Sequence, residues 1–217
     1  MKKYELTNET KLTDGAKLYR IKALVDIERH RVKAGDIGGW IENESNLSHA
    51  GDAWVGDDAW VLDGAKVYGN AVVYWNSEVF DNARVYGSAC VYGVASVCDA
   101  AHVYGDAYVC GNARVYGNAH VSGDVEIYGN ARVYGNARVF DDARVFDDAL
   151  VYSDARVSDN ARVFGNARVF GNMGNIVDQD EKPNLRTTTE RELTIHALHA
   201  RICELEREVA SLKSKLS

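Results

Sequence analysis

Lys66, Arg84, His102, His120, Arg138 and Arg156 stand eighteen residues apart, and Tyr68, Tyr86, Tyr104 and Phe140 each follow one of them by two places. No acid interrupts this series. Guanidinium and ammonium groups beside aromatic rings can hold an anionic or planar ligand by charge-assisted hydrogen bonds and cation–π contact. Two imidazoles among them are also the residue type for proton transfer or metal ligation. All of this chemistry requires the series to be brought together in space.

The elements that must do so are written as a repeat. From Val55 to Val169 every sixth residue is Val, except Ile127, and the residue two places earlier is Ala, except Ser77 and Val125. Twenty hexads run without an insertion or deletion, with the consensus A-R-V-Y-G-N. An α-helix would turn the chain ~240° net per hexad, so no apolar stripe could form. In a strand, Ala and Val share one face while the residues before and after Val share the other. Gly, Asn and Asp fill the last two places, where a tight corner needs residues that tolerate left-handed backbone. Each hexad therefore reads as one short strand and one corner.

Pairs such as Val133 with Ala137, Val139 with Ala143 and Val163 with Ala167 resemble the left-handed parallel β-helices built from hexapeptide repeats, whose signature is an aliphatic residue followed four places later by a small one. That resemblance implies a left-handed winding with three hexads per triangular coil, hence about 6 to 7 coils with Ala and Val filling the interior. It also makes residues eighteen apart into vertical columns. The first face then carries the cationic series, with Arg84, His102, Tyr104, His120, Arg138 and Arg156 as candidate ligand-binding residues. A second, more apolar face carries Trp54, Val72, Cys90 and Tyr108 and is expected at a subunit interface. The third mixes Trp60, Glu78, Arg114, Arg132, Leu150 and Arg168. Repeat copying alone would also produce such columns, because Arg and Tyr suit solvent-facing strands.

Residues 1–48 read as a cap for the open end of the coils. "KYELTNETKL" and "AKLYRIKALVDI" alternate in strand fashion around "TDG", which predicts a β-hairpin, and Trp40, Ile41 and Leu47 are expected to plug the first coil. The glycines of "KAGDIGGWIE" lack the Lys-Ser/Thr of a phosphate loop. This wording ahead of such repeats resembles uncharacterised prophage-encoded hexapeptide-repeat proteins, which implies a phage or prophage origin and a bacterial host. The β-helix is expected over 49–172 and a lower cap and linker over 173–187, around the only proline, Pro183.

From residue 188 the spacing changes. Ile195, Leu198, Ile202, Leu205, Val209, Leu212 and Leu216 form an a/d seam, which predicts an α-helical coiled coil over 188–217. β-Branched residues at a with Leu at d favour two strands. "RICELE", with Arg201 and Glu206, instead resembles a motif of parallel trimers, and hexapeptide β-helices are typically trimeric. A parallel homotrimer is the expectation.

Composition narrows the function. The 217 residues carry a net charge of −7, and the acids within 53–172 outnumber the bases, which disfavours non-specific nucleic-acid binding. Neither a signal peptide nor a membrane-spanning run is legible, so a cytoplasmic location is expected. The cysteines, Cys90, Cys98, Cys110 and Cys203, show no zinc-like grouping and read as free thiols. Many hexapeptide β-helix proteins are acyltransferases, but the resemblance places their catalytic His on a loop interrupting the coils, and here no hexad is interrupted. No cofactor or metal is expected; His102 and His120 lack an identifiable third ligand. The reading is a non-enzymatic binding or scaffold module of phage accessory type, serving a nucleotide-like anion or a host protein. An acyltransferase, an acidic nucleic-acid mimic and a virion fibre segment are the alternatives.

Overall fold

A computed structural model describes residues 2–13 and 15–171 of the chain. The predicted coiled coil, with Ile195, Leu198, Arg201, Ile202, Leu205, Glu206, Val209, Leu212 and Leu216, lies outside the described residues, as do the linker and Cys203.

The described residues form an all-β parallel solenoid of about seven coils, preceded by an antiparallel hairpin. β1 (Tyr4–Thr13) and β2 (Ala16–Ala23) make the hairpin, and β3 (Ile37–Ile41) pairs antiparallel with β2. Twenty strands of two or three residues follow, from Trp54–Val55 to Arg168–Phe170. Each pairs in parallel with the strand eighteen residues away, as His102 does with Arg84 and with His120. The strands thereby sort into three sheets of ten, seven and six strands, and the ten-stranded sheet includes the hairpin.

The alternation read from the hexads accounts for the core. Val and Ala line the interior and are almost all fully buried, whereas Arg84, Arg114, Arg132, Arg138 and Arg156 point outward and are exposed. The two departures at the Ala position are absorbed. Val125 is fully buried, and the Ser77 hydroxyl donates to the carbonyls of Tyr74 and Val91 at 2.6 and 3.3 Å. Corners turn through left-handed backbone at Gly, as at Gly105 (φ 74°), or at Asp, as at Asp99 (φ 57°). Among the described residues no helix is long and apolar enough to cross a membrane.

The cap does more than plug the end. Ile41 and Leu47 occupy valine-like places, paired with Val61 and Val67, and close the interior as expected. Above them the Tyr4 hydroxyl donates to the Leu47 carbonyl at 2.7 Å, and Lys3 Nζ donates to the Ala53 carbonyl at 2.6 Å. Burial pushes the Lys3 ammonium down to about 8, against the pull of Asp52. Trp40 does not join this plug. It lies on the outer side in a separate small cluster with Leu18 and Leu62, under the guanidinium of Arg20 at 4.7 Å from the ring. Gly38 is bare because a Cβ there would stand 2.5 Å from Trp54 Cζ2, so packing and not phosphate binding explains this glycine.

The apolar second face also differs from expectation at its upper end. Trp54 and Val72 are 2% and 6% exposed within the single chain, and a Cβ on Gly38 of the cap would stand 2.5 Å from Trp54 and 2.7 Å from Ile21, so the chain's own cap lies against Trp54. The short 3-10 turn Glu28–His30 extends that cover, with Arg29 donating to the Ser88 hydroxyl at 3.0 Å. The apolar residues were legible in sequence; the partner that covers the first two is intramolecular.

Candidate functional site

The six-stranded sheet joins the six predicted outward residues into one column in the order Lys66, Arg84, His102, His120, Arg138, Arg156. A second column stands beside it. Tyr68, Tyr86 and Tyr104 stack with ring centroids 4.8 Å apart and planes within 3° of parallel, the repeat of the sheet itself. His102 and His120 stack at 4.8 Å, and their edges face the tyrosines: Tyr86 meets His102 at 82° and Tyr104 meets His120 at 90°. The repeat thus generates two interlocked ladders because each hexad places one side chain before Val and one after it, both outward.

Charge is uneven along the ladder. Burial first, then the neighbouring His120 and Arg84, hold the His102 imidazole below its usual range, so it is neutral at neutral pH. Two stacked imidazoles beside an arginine suit neither a general base that must be oriented by a carboxylate nor a cation-rich anchor. The permanent cations of this face are Lys66, Arg84, Arg138 and Arg156. The neighbouring sheet shows the alternative arrangement, where Arg144 on one rung meets Glu126 on the next at 3.5 Å.

An open depression of about 460 Å³ lies on the first face, lined by Tyr104, His120, Ser122, Gly123, Arg138, Phe140, Asp141 and Arg156. Four of the six predicted site residues, Tyr104, His120, Arg138 and Arg156, meet there. Arg84 and His102 stand higher on the column and do not line it. The residue that sequence reasoning missed is Ser122. Its signal was present: the aromatic column reads Tyr68, Tyr86, Tyr104, Ser122, Phe140, Ser158, so one ring is absent between two others. A missing ring becomes a cavity only where its neighbours stay in line.

The other aromatic columns are broken as well, at Cys98 and Cys110, both half-buried. Cys98 lies with Asp81 and Asp99 in a group whose potential ligand atoms are within 4.8 Å. The carboxylates are already in use at the corners. Asp81 Oδ2 accepts the Asp99 amide at 3.1 Å, and Asp99 Oδ2 accepts the Gly117 amide at 2.8 Å. Burial, with Asp99 and Asp81 adding to it, pushes the Cys98 thiol up to about 11, which opposes the thiolate a metal would need. The same corner bonding recurs where Asp141 accepts the Asp159 amide and Asp147 the Gly165 amide. The acidic edge is therefore built into the turns.

Five segments, 79–93, 107–123, 127–139, 131–145 and 155–171, match a family model described as the YdcK β-solenoid repeat. No curated protein matches the chain. Tandem matches confined to the coils, on strands that pair in parallel at a constant offset, make this chain similar to the YdcK β-solenoid repeat and support a repeat β-helix family for it.

Proposed function

We propose that the protein is a non-enzymatic binding module that presents the basic aromatic face to an anionic, nucleotide-like ligand, assembled as a parallel homotrimer through the heptad seam and serving as a phage or prophage accessory protein. The carrying observation is the depression at Tyr104, His120, Arg138, Phe140 and Arg156, where rings and guanidinium groups converge and Asp141 is the one acid in the lining. Cations at one-coil spacing can clasp an anion with no catalytic loop. Acyl transfer is disfavoured by the uninterrupted strand series and by the column neighbours of His102, which are Arg84 and His120 and not a carboxylate that would orient it.

Calorimetric titration of ATP and AMP into wild type and into a variant with Arg84, Tyr104 and Arg138 all changed to Ala tests this reading. Loss of two charges and one stacking surface should weaken binding about 100-fold. Equal affinity in the two proteins would reduce the ladder to an inheritance of the repeat. Turnover of an acyl-CoA that disappears in His120→Ala would replace the binding module by an enzyme.

A further inference from the structure

We infer that the rung left empty at Ser122 is a slot for the planar heteroaromatic base of a nucleoside monophosphate, with the base stacked between Tyr104 and Phe140 and the phosphate held by Arg138 and Arg156. This inference rests on the proposed binding role of the first face and assigns it one place and one ligand class.

The ladder itself supplies the measurements. Tyr68, Tyr86 and Tyr104 repeat every 4.8 Å with nearly parallel planes. Two steps of that repeat separate Tyr104 from Phe140, roughly 9.6 Å. One inserted ring would stand about one step from each neighbour, within the range of roughly 4.5–7 Å that aromatic pairs prefer. A second base stacked on the first would not fit. Ser122 and Gly123 line the opening along with the rings and the arginines, and its volume is about 460 Å³.

The charges beside the slot are placed for an anion. Arg138 and Arg156 are directly paired on adjacent rungs, so their guanidinium groups repel unless a shared anion lies between them. Arg156 also sits 5.5 Å from the centre of the Phe140 ring, which ties the cation to the lower wall of the slot. His120 meets the upper wall edge-on. The acid at the rim is Asp141, and one of its oxygens already accepts the Asp159 amide at 3.3 Å. Two arginines against one partly engaged carboxylate leave the opening favourable to a phosphate.

The probes are AMP, adenosine and ribose 5-phosphate, titrated calorimetrically into the full chain. AMP should bind wild type at least about tenfold more tightly than either fragment, because the ring and the phosphate use different walls. Ser122→Tyr should complete the aromatic column, leave the melting temperature unchanged or raised, and abolish AMP binding. Phe140→Leu keeps the bulk of the lower wall but removes its ring, and should weaken AMP about tenfold. Undiminished AMP affinity in a folded Ser122→Tyr protein overturns the slot, and so does undiminished affinity in Phe140→Leu. Ribose 5-phosphate binding as tightly as AMP also overturns it, while the broader anion-binding role of the face stands. If no probe binds wild type, both the slot and the proposed function fall.

Discussion

Arg114 and Val115 are consecutive residues of one strand, yet they answer to different constraints. Val115 is fully buried and stacks on Val133, and every coil repeats that arrangement within the same narrow cross-section. Arg114 is exposed, and its column runs through Glu78, Ser96, Arg132 and Leu150 with no common chemistry. Closure of the coil allows only a narrow range of side-chain sizes at each inner position, so copies of the repeat stay nearly faithful there. Outside, any side chain that tolerates a strand will serve, and columns are free to diverge into an ion pair on one sheet and a ring ladder on another.

The strongest way to break this contrast is a charge placed on either side of the wall. Val115→Asp buries a carboxylate among valines and alanines and should cost on the order of 4 kcal/mol. Arg114→Asp should change stability by about 0.5 kcal/mol or less. Thermal unfolding of both variants would read the difference as a fall of more than about 8 °C for the first alone. Equal melting temperatures would refute the division into inner and outer positions.

The corners sharpen the comparison, because they are exposed like the outer wall but constrained like the inner one. Gly87 turns at φ 71°, and a Cβ there would lie 2.8 Å from the backbone nitrogen and oxygen of Gly105 in the next coil. Neither atom can move without disturbing the ladder. Gly15, at the hairpin tip, also has positive φ (84°) but nothing within 4 Å of a Cβ. Gly87→Ala should therefore cost about 2–3 kcal/mol, and Gly15→Ala about 1 kcal/mol from backbone strain alone. Chemical denaturation midpoints that drop equally in the two variants would show that coil-to-coil contact at the corner is unimportant.

These contrasts mark what was legible beforehand. A period of six fixes which residues face inward, so the Val and Ala columns and the strand register could be read directly from letters. The hairpin was legible from its alternation around "TDG". What covers Trp54 was not, because an apolar residue on an outer face looks the same whether a neighbouring subunit or the chain's own cap buries it; the approach of Gly38 and Ile21 to Trp54 carries no period. Ser122 was hidden for a related reason. A serine after Val is an ordinary strand residue, and only the continuity of Tyr104 above and Phe140 below turns it into an opening. The corner acids were readable as turn residues, but not their bonds to the next coil.

Those bonds allow the smallest and most discriminating test. Asp99 sits at φ 57° and accepts the Gly117 amide at 2.8 Å, while its own amide donates to Asp81 at 3.1 Å. If geometry is the reason for an acid here, Asn should replace it almost without loss, because its side-chain oxygen can accept the same amide and it tolerates left-handed backbone. Removing one of two neighbouring carboxylates should offset part of the weaker hydrogen bond. Asp99→Asn is therefore expected within about 0.5 kcal/mol of wild type, and Asp99→Ala about 1–2 kcal/mol below it, from the lost acceptor and the unfavourable φ. Denaturant titration of the pair decides between shape and charge. An Asn variant as damaged as the Ala variant would mean that the negative charge itself matters at the corner, and the acidic edge would then need a partner beyond the chain's own backbone.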